Sequence, residues 1–247
     1  MFTGIVECTA VLKTREILNQ GGISFEFEIK DLDYLSNVLI GDSLSINGAC
    51  LTVVSKTPPL CPSITSSGLS LPQGERRNLP GRFKVTAVPE TLRLTNLGEL
   101  KLGDLINLER SLSANKTIGG HWIQGHVEAV LKILEINPDG VAVNIKISMP
   151  KEFEKYLVHK GFVGLDGMSL TIAGVNPQEH YFWVTLIPHT QEVTIAKFYK
   201  VGSLLNFEAD SAVKNMVSYL DNYLENYLDK YLENFLDNFL EKRLKPS

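Results

Sequence analysis

Three blocks of this chain recur in the same order, and a sequence that repeats itself at domain length folds as two copies of one module. Thr3-Gly4-Ile5-Val6-Glu7 returns 121 residues later as Gln124-Gly125-His126-Val127-Glu128. Asn47-Gly48-Ala49-Cys50-Leu51-Thr52-Val53 returns as Asp166-Gly167-Met168-Ser169-Leu170-Thr171-Ile172, at an offset of 119. Phe83-Lys84-Val85-Thr86-Ala87-Val88-Pro89-Glu90-Thr91 returns as Phe182-Trp183-Val184-Thr185-Leu186-Ile187-Pro188-His189-Thr190, at an offset of 99 that carries on through Gly103/Gly202, Asn107/Asn206 and Glu109/Glu208. The step from 119 to 99 assigns 20 extra residues to the first copy, and they fall within Thr57–Arg82. That stretch is rich in proline, glycine and serine and carries neither apolar period. It buries too little apolar surface to offset its ordering entropy, so it reads as an exposed, dispensable excursion.

Within each copy the pattern is that of strands. Ile23, Phe25, Phe27 and Ile29 alternate with Ser24, Glu26 and Glu28, and Val141, Val143, Ile145 and Ile147 alternate likewise in the second copy. Gln20-Gly21-Gly22 and Asn137-Pro138-Asp139-Gly140 mark equivalent hairpin turns, and short helices are expected over Asp31 to Leu39 and Lys151 to Leu157. Several short strands in a module of roughly 100 residues favour a closed barrel, because closure removes exposed edges. The expected fold class is all-β: two tandem barrels, residues 1–118 and 119–210, with a helical segment over 211–247 that belongs to neither.

That segment is a four-residue repeat from Tyr219 onward, with an aromatic and a leucine side by side in each unit. Four residues overshoot a helical turn by about 40°, so the apolar stripe winds around the helix in a right-handed sense. Asp221, Glu225, Asp229, Glu233, Asp237 and Glu241 also fall four apart, and such like charges mildly destabilise an isolated helix. The helix is expected to need company. Self-association between subunits is favoured over packing on its own barrel, whose surface is small for so long a stripe.

Composition narrows the partners. With 24 Lys+Arg against 28 Asp+Glu the chain is mildly acidic and has no basic cluster suited to a phosphate backbone or anionic lipid, so neither nucleic acid nor membrane is expected. The cysteines Cys8, Cys50 and Cys61 are odd in number and lack C-x-x-C spacing, which favours a reducing, cytoplasmic setting over a disulfide framework or a structural zinc site. The N-terminus lacks the basic and apolar regions of a signal peptide, and no run is long enough to span a membrane.

Four motifs taken together resemble the riboflavin synthase family with its two lumazine-binding repeats. They are Met1-Phe2-Thr3-Gly4-Ile5-Val6-Glu7, Asn47 to Val53, Gly119-Gly120-His121-Trp122-Ile123-Gln124-Gly125-His126-Val127, and Lys160-Gly161-Phe162-Val163-Gly164-Leu165 running on to Thr171. The resemblance covers Met1 to Asp210 apart from the Thr57–Arg82 insert. It implies Greek-key barrels and a cofactor-free dismutation of two 6,7-dimethyl-8-ribityllumazine molecules. One gives up a four-carbon unit to the other, yielding riboflavin and a 5-amino-6-ribitylaminouracil. It also implies a homo-oligomer, with a trimer favoured, in which one subunit's first barrel faces its neighbour's second barrel. A non-catalytic lumazine- or flavin-binding relative is the alternative, whereas a flavin-binding reductase fails for want of a G-x-G-x-x-G loop.

This chemistry asks for few ionisable groups: removal of a proton from the acidic C7 methyl, a nucleophile to add to a ring, and tight orientation of two flat heterocycles. Backbone amides and small hydroxyls suit the carbonyl-rich ring edges. The resemblance assigns substrate contact to Gly4, Ile5, Val6, Cys50, Leu51, Thr52, Thr86, Ala87, Val88, Pro89, Glu90 and Thr91 in the first copy. In the second it assigns Gly125, His126, Val127, Lys160, Ser169, Leu170, Thr171, Ile187, Pro188, His189 and Thr190. As catalytic candidates it gives Cys50 and Ser169 at the reacting ring carbons, His126 in proton transfer, Asp166 and Lys160 on the ribityl chain or polarising the site, and Ser43. Bland alternatives stand beside these. A strand cysteine is as often a small core residue as a nucleophile, and an Asp-Gly pair also simply makes a turn. His121 and His126, five apart on a presumed strand, would point to opposite faces, which argues against a shared metal and leaves His121 structural. In register, Ile5 matches His126, Asn47 matches Asp166, Cys50 matches Ser169 and Gly41 matches Lys160. Two equivalent pockets have been made inequivalent, as a reaction with a distinct donor and acceptor requires.

Overall fold

Alternation becomes strand wherever a turn residue closes it off. The first copy forms β1 (Cys8–Ile17), β2 (Ile23–Ile29), β3 (Ser43–Ile46), β4 (Ala49–Thr57), β5 (Gly81–Ala87) and β6 (Leu105–Arg110). The second forms β7 (Ala129–Asp139), β8 (Ala142–Ser148), β9 (Phe162–Leu165), β10 (Met168–Asn176), β11 (Tyr181–Leu186) and β12 (Leu204–Ala209). These come from a computed structural model that describes residues 1–19, 21–57 and 80–244. Most of the proline-rich insert, residues 58–79, lies outside the described residues, as does Gln20 of the first hairpin turn. The expected end of the insert shifts inward, because Gly81 and Arg82 already belong to β5 and pair with Ile29 and Glu28.

Each copy is a closed antiparallel barrel with the same strand order, β1-β2-β5-β4-β3-β6 and β7-β8-β11-β10-β9-β12. Placing β2 beside β5, after the consecutive run β5-β4-β3, is the Greek-key arrangement. The copies match down to their irregularities. Register shifts fall between Leu12 and Thr14 and between Ile133 and Glu135, and again between Val53 and Ser55 and between Ile172 and Gly174. Such bulges bend a strand enough to close a small barrel, so their repetition belongs to the duplicated design. The inward residues of β2, Phe25, Phe27 and Ile29, are wholly buried with Phe83 and Val85 of β5, and Ile147, Phe182 and Phe207 fill the second core. Each such side chain contributes about 1.5–3 kcal/mol.

One turn is tighter than expected. β7 runs through Asn137, Pro138 and Asp139, leaving Gly140 and Val141 as a two-residue hairpin loop with Asp139 opposite Ala142. Val141 is therefore 81% exposed instead of inward. The short helices appear over Leu32–Ser36 and, as 3-10 turns, over Lys151–Tyr156.

The barrels meet through their β3–β4 and β9–β10 hairpins. Asn47-Gly48 and Asp166-Gly167 have positive φ at both residues, 45° and 82° in the first and 45° and 77° in the second, which is the type I′ turn. The glycines face each other so closely that a Cβ on Gly48 would stand 2.8 Å from the Gly167 nitrogen. Around this point the repeat pairs bond reciprocally. The Asn107 side chain donates to the Asp166 carbonyl at 2.9 Å and accepts from the Ile195 amide at 2.9 Å, while that of Asn206 donates to the Asn47 carbonyl at 2.7 Å and accepts from the Asn96 amide at 2.7 Å.

Residues Ser211–Ser247 form a separate unit, helical over Ser211–Leu244. Tyr219, Tyr223, Tyr227 and Tyr231 stack along it with centroids 6.3–6.4 Å apart, and Leu220, Leu224, Leu228 and Leu232 are each about half exposed. Among the described residues no helix is long and apolar enough to cross a membrane.

Two pseudo-equivalent candidate active sites

The segments that open each copy, residues 2–7 and 121–128, are not barrel strands. Apart from an isolated bridge between Phe2 and Ile123, they run as extended connectors between the barrels. Each is tied at one side to its own copy. Glu109 on β6 accepts from Thr3 N at 2.6 Å, Thr3 Oγ1 at 2.7 Å and Gly4 N at 2.9 Å. Its counterpart Glu208 on β12 accepts from the amides of Gln124, Gly125 and His126 at 2.6, 2.9 and 3.0 Å. Burial raises the pKa of both carboxyls, and these amide donors oppose the rise.

At the other side each segment reaches the opposite copy. The Gly4 carbonyl accepts from the Ser169 amide at 2.8 Å, and the Gly125 carbonyl accepts from the Cys50 amide at 2.8 Å. Val127 packs into the first core, and Val6 packs against the second. The contacts are close: a Cβ on Gly4 would lie 2.6 Å from Ser169 Cβ, and one on Gly125 would lie 2.6 Å from Cys50 Cβ. Both glycines also have positive φ, 74° and 80°. Only glycine satisfies both demands.

The expected site residues are thereby regrouped. Cys50 and the exposed Thr52 of the first barrel stand with Gly125 and the exposed His126, while half-buried Ser169 and exposed Thr171 of the second stand with Gly4 and Ile5. Ser43 is the register partner of Thr52. Beyond these, Thr86 is half-buried on β5, with Val88, Pro89 and Glu90 exposed at the start of the helix Pro89–Leu94 that includes Thr91. Ile187, Pro188 and His189 repeat that arrangement at the helix Pro188–Val193, which includes Thr190. Leu51, Leu170 and Ala87 are buried in the cores. Asp166 lies in the seam, 1% exposed, its carboxylate accepting from Tyr199 Oη at 2.7 Å, Asn206 N at 2.8 Å and Asn96 Nδ2 at 3.2 Å.

Three groups escaped the sequence reading. Glu109 and Glu208 are visible there only as an acidic residue inside an apolar strand, at matching places in both copies. His121 was assigned a place on a strand, but its segment is not one; the imidazole is 7% exposed, and its Nδ1 lies 2.6 Å from Ser169 Oγ.

Comparison with known proteins supports the duplicated fold. A model of the lumazine binding domain matches twice, over residues 3–111 and 124–210. The riboflavin synthase of Schizosaccharomyces pombe is 36% identical over 215 residues, covering 87% of this chain and 91% of that protein. The riboflavin synthase of Bacillus subtilis is 35% identical over 220 residues, covering 89% and 90%. The chain belongs to the riboflavin synthase family. Its fold is also that of LumP, whose crystal structure with riboflavin superposes with a TM-score of 0.67 at 20% identity, over 85% of this chain and 99% of that one.

For a riboflavin synthase the breaks in the duplication are informative, and Lys160 is the sharpest. It holds φ 65° where its counterpart Gly41 holds φ 96°, and the two amides bond to the equivalent carbonyls of Ile172 and Val53 at 2.9 Å each. A lysine costs roughly 0.5–1 kcal/mol more than glycine in this conformation. Lys160→Gly is accordingly expected to raise stability by about that amount in chemical denaturation while lowering turnover. A variant both more stable and fully active would remove any reason to give the lysine a role.

Proposed function

We propose that this chain catalyses the dismutation of two 6,7-dimethyl-8-ribityllumazine molecules to riboflavin and 5-amino-6-ribitylaminouracil. The observation that carries the reading is the pair of pseudo-equivalent clusters, each formed where a glycine of one copy's leading segment meets a strand of the opposite copy, and differing at Ile5/His126, Cys50/Ser169 and Gly41/Lys160. Identical pockets would bind two lumazines alike. The differences give each bound molecule its own chemistry.

In this reading Thr52 and Thr171 present hydroxyls to the ring edges, and Cys50 and Ser169 stand at the reacting carbons. The exposed imidazole of His126, its backbone fixed by Glu208, takes or returns the C7-methyl proton. Lys160 meets the ribityl chain. Asp166 acts from behind, holding the seam that sets one pocket against the other. The four-carbon unit passes between two copies of one compound without net oxidation, so the balance needs no redox cofactor. The exposed Tyr-Leu helix assembles subunits into a trimer, bringing one subunit's first barrel to another's second, and the enzyme works in the cytoplasm.

Purified protein incubated with the lumazine alone should form one riboflavin per two lumazines consumed, followed by absorbance. His126→Gln should slow this by about 10²-fold, within the usual range for a positioned acid or base. Tight binding of lumazine without turnover would instead make the chain a carrier. Ending the chain at Asp210 should lower both the sedimenting mass and the rate; an unchanged mass would remove the helix from the assembly.

A further inference from the structure

The second pocket holds a pair that the first lacks. His121 Nδ1 and Ser169 Oγ are 2.6 Å apart, and the imidazole is held flat against Phe162, with ring centroids 5.2 Å apart and planes inclined by 8°. Gly120 makes the approach possible: a Cβ there would stand 2.8 Å from Ser169 Oγ and 2.2 Å from the Thr3 carbonyl oxygen. In the first barrel Cys50 takes the place of Ser169 and Ser43 that of Phe162. Among the described residues no imidazole bonds to that cysteine.

Three properties mark this as more than packing. The contact is short even for a hydroxyl hydrogen bond to nitrogen, and it fixes which way the serine oxygen points. His121 Nε2 is buried and has no hydrogen-bond partner among the described residues, a cost normally avoided unless the partner arrives with a ligand. Burial lowers the imidazole pKa, which keeps it neutral and able to accept, while the Asp210 carboxylate acts the other way and favours the charge the ring gains with a proton. Accepting through Nδ1 requires the hydrogen on Nε2, the nitrogen left without a partner among the described residues.

We propose that His121 is a positioning residue of the second pocket, holding Ser169 Oγ toward the bound ring and accepting its proton. When the serine oxygen adds to a ring carbon, the new C–O bond takes its electron pair from oxygen. The displaced ring π pair moves onto ring nitrogen, and the hydroxyl proton passes to Nδ1. Expulsion of the serine reverses each transfer. In the first pocket the imidazole of His126 makes no bond to the Cys50 thiol among the described residues, so that pocket lacks this step, which gives the second barrel the lumazine that undergoes addition. The inference rests on the reading that Ser169 acts at a reacting carbon.

Four variants test it: His121→Phe, which keeps the stacking surface; His121→Asn, which keeps a polar atom near the Nδ1 position; Ser169→Ala; and the double His121→Phe/Ser169→Ala. Binding of riboflavin, followed by its fluorescence, establishes that each is folded. His121→Phe should bind within about threefold of the parent and leave KM similar, but lose about 10²-fold in kcat, as removal of a positioned base does. His121→Asn should recover part of that loss. The double variant should be no slower than Ser169→Ala, because residues acting as one unit are not additive. If His121→Phe fails to bind, His121→Asn and Ser169→Ala decide: a loss in His121→Asn that is real but smaller than that of Ser169→Ala supports the pair, and a fully active His121→Asn overturns it. A slow Ser169→Ala beside a fast His121→Phe sinks the histidine's role alone. Multiplied losses in the double variant do the same. A Ser169→Ala as fast as the parent removes the underlying reading of Ser169, and the proposal with it.

Discussion

Glu208→Ala is expected to cost about 3 kcal/mol or more and to abolish most turnover, although Glu208 touches no substrate in the scheme above. Its carboxylate is the acceptor for three consecutive amides, Gln124, Gly125 and His126. Buried donors stripped of their acceptor cost about 1–3 kcal/mol each, less where water enters to replace it. At roughly 2–4 °C per kcal/mol for a chain of this size, the melting temperature should fall by about 6–12 °C. The loss of rate should exceed the loss of folded protein, because the same amides fix the backbone of His126 beside Cys50. Glu109→Ala should be a counterpart with a different signature, disturbing Gly4 and hence the Ser169 pocket. Melts within about 2 °C of the parent for both would show that the connectors hold themselves in place.

The second large effect is a stability difference that depends on pH. Burial raises the Asp166 carboxyl to about 6, against hydrogen bonds from Tyr199, Asn206 and Asn96 that favour its charged form. Unfolded, it titrates near 3.9. The folded chain keeps this proton over a range in which the unfolded chain has lost it. The stabilisation is complete below about pH 4 and is lost as pH rises through about 6. A gap of about two pH units corresponds to about 3 kcal/mol, an order-of-magnitude figure for so buried a group. Asp166→Asn supplies a neutral side chain like that of Asn47 in the equivalent turn. Relative to the parent, its melting temperature should climb by about 6–12 °C between about pH 4 and pH 7. Parallel curves for the two proteins would show that the carboxyl titrates normally.

What the sequence made legible, and what it did not, follows from the range of the interactions. The barrels could be read because alternation is local: Phe25 and Phe27 turn inward for the same reason wherever the strand lies. Gly48 and Gly167 could be read as turn residues, but not as the point where two turns touch, since that contact joins positions more than a hundred residues apart. The connectors were the hardest. Residues 2–7 and 121–128 have no period, and what fixes them is a carboxylate on a distant strand. His121 was misplaced for that reason: a strand was assumed on which it faced away from His126, and an extended connector instead brings its Nδ1 within 2.6 Å of Ser169 Oγ. The Asp166-Gly167 turn was legible as the alternative to a site role for Asp166, whereas the burial of Asp166 depends on Tyr199, whose counterpart in the first copy is Leu100.

The crossing connectors also bear on ancestry. Because Gly125 closes the pocket of Cys50 while Gly4 closes that of Ser169, neither half of the chain is finished by its own residues. A single ancestral module would have met the same need from a twin, each copy lending its leading segment to the other about a two-fold axis through the touching glycine turns. Within one chain that exchange is built in. A single chain also leaves the two halves free to diverge, which no pair of identical subunits can do.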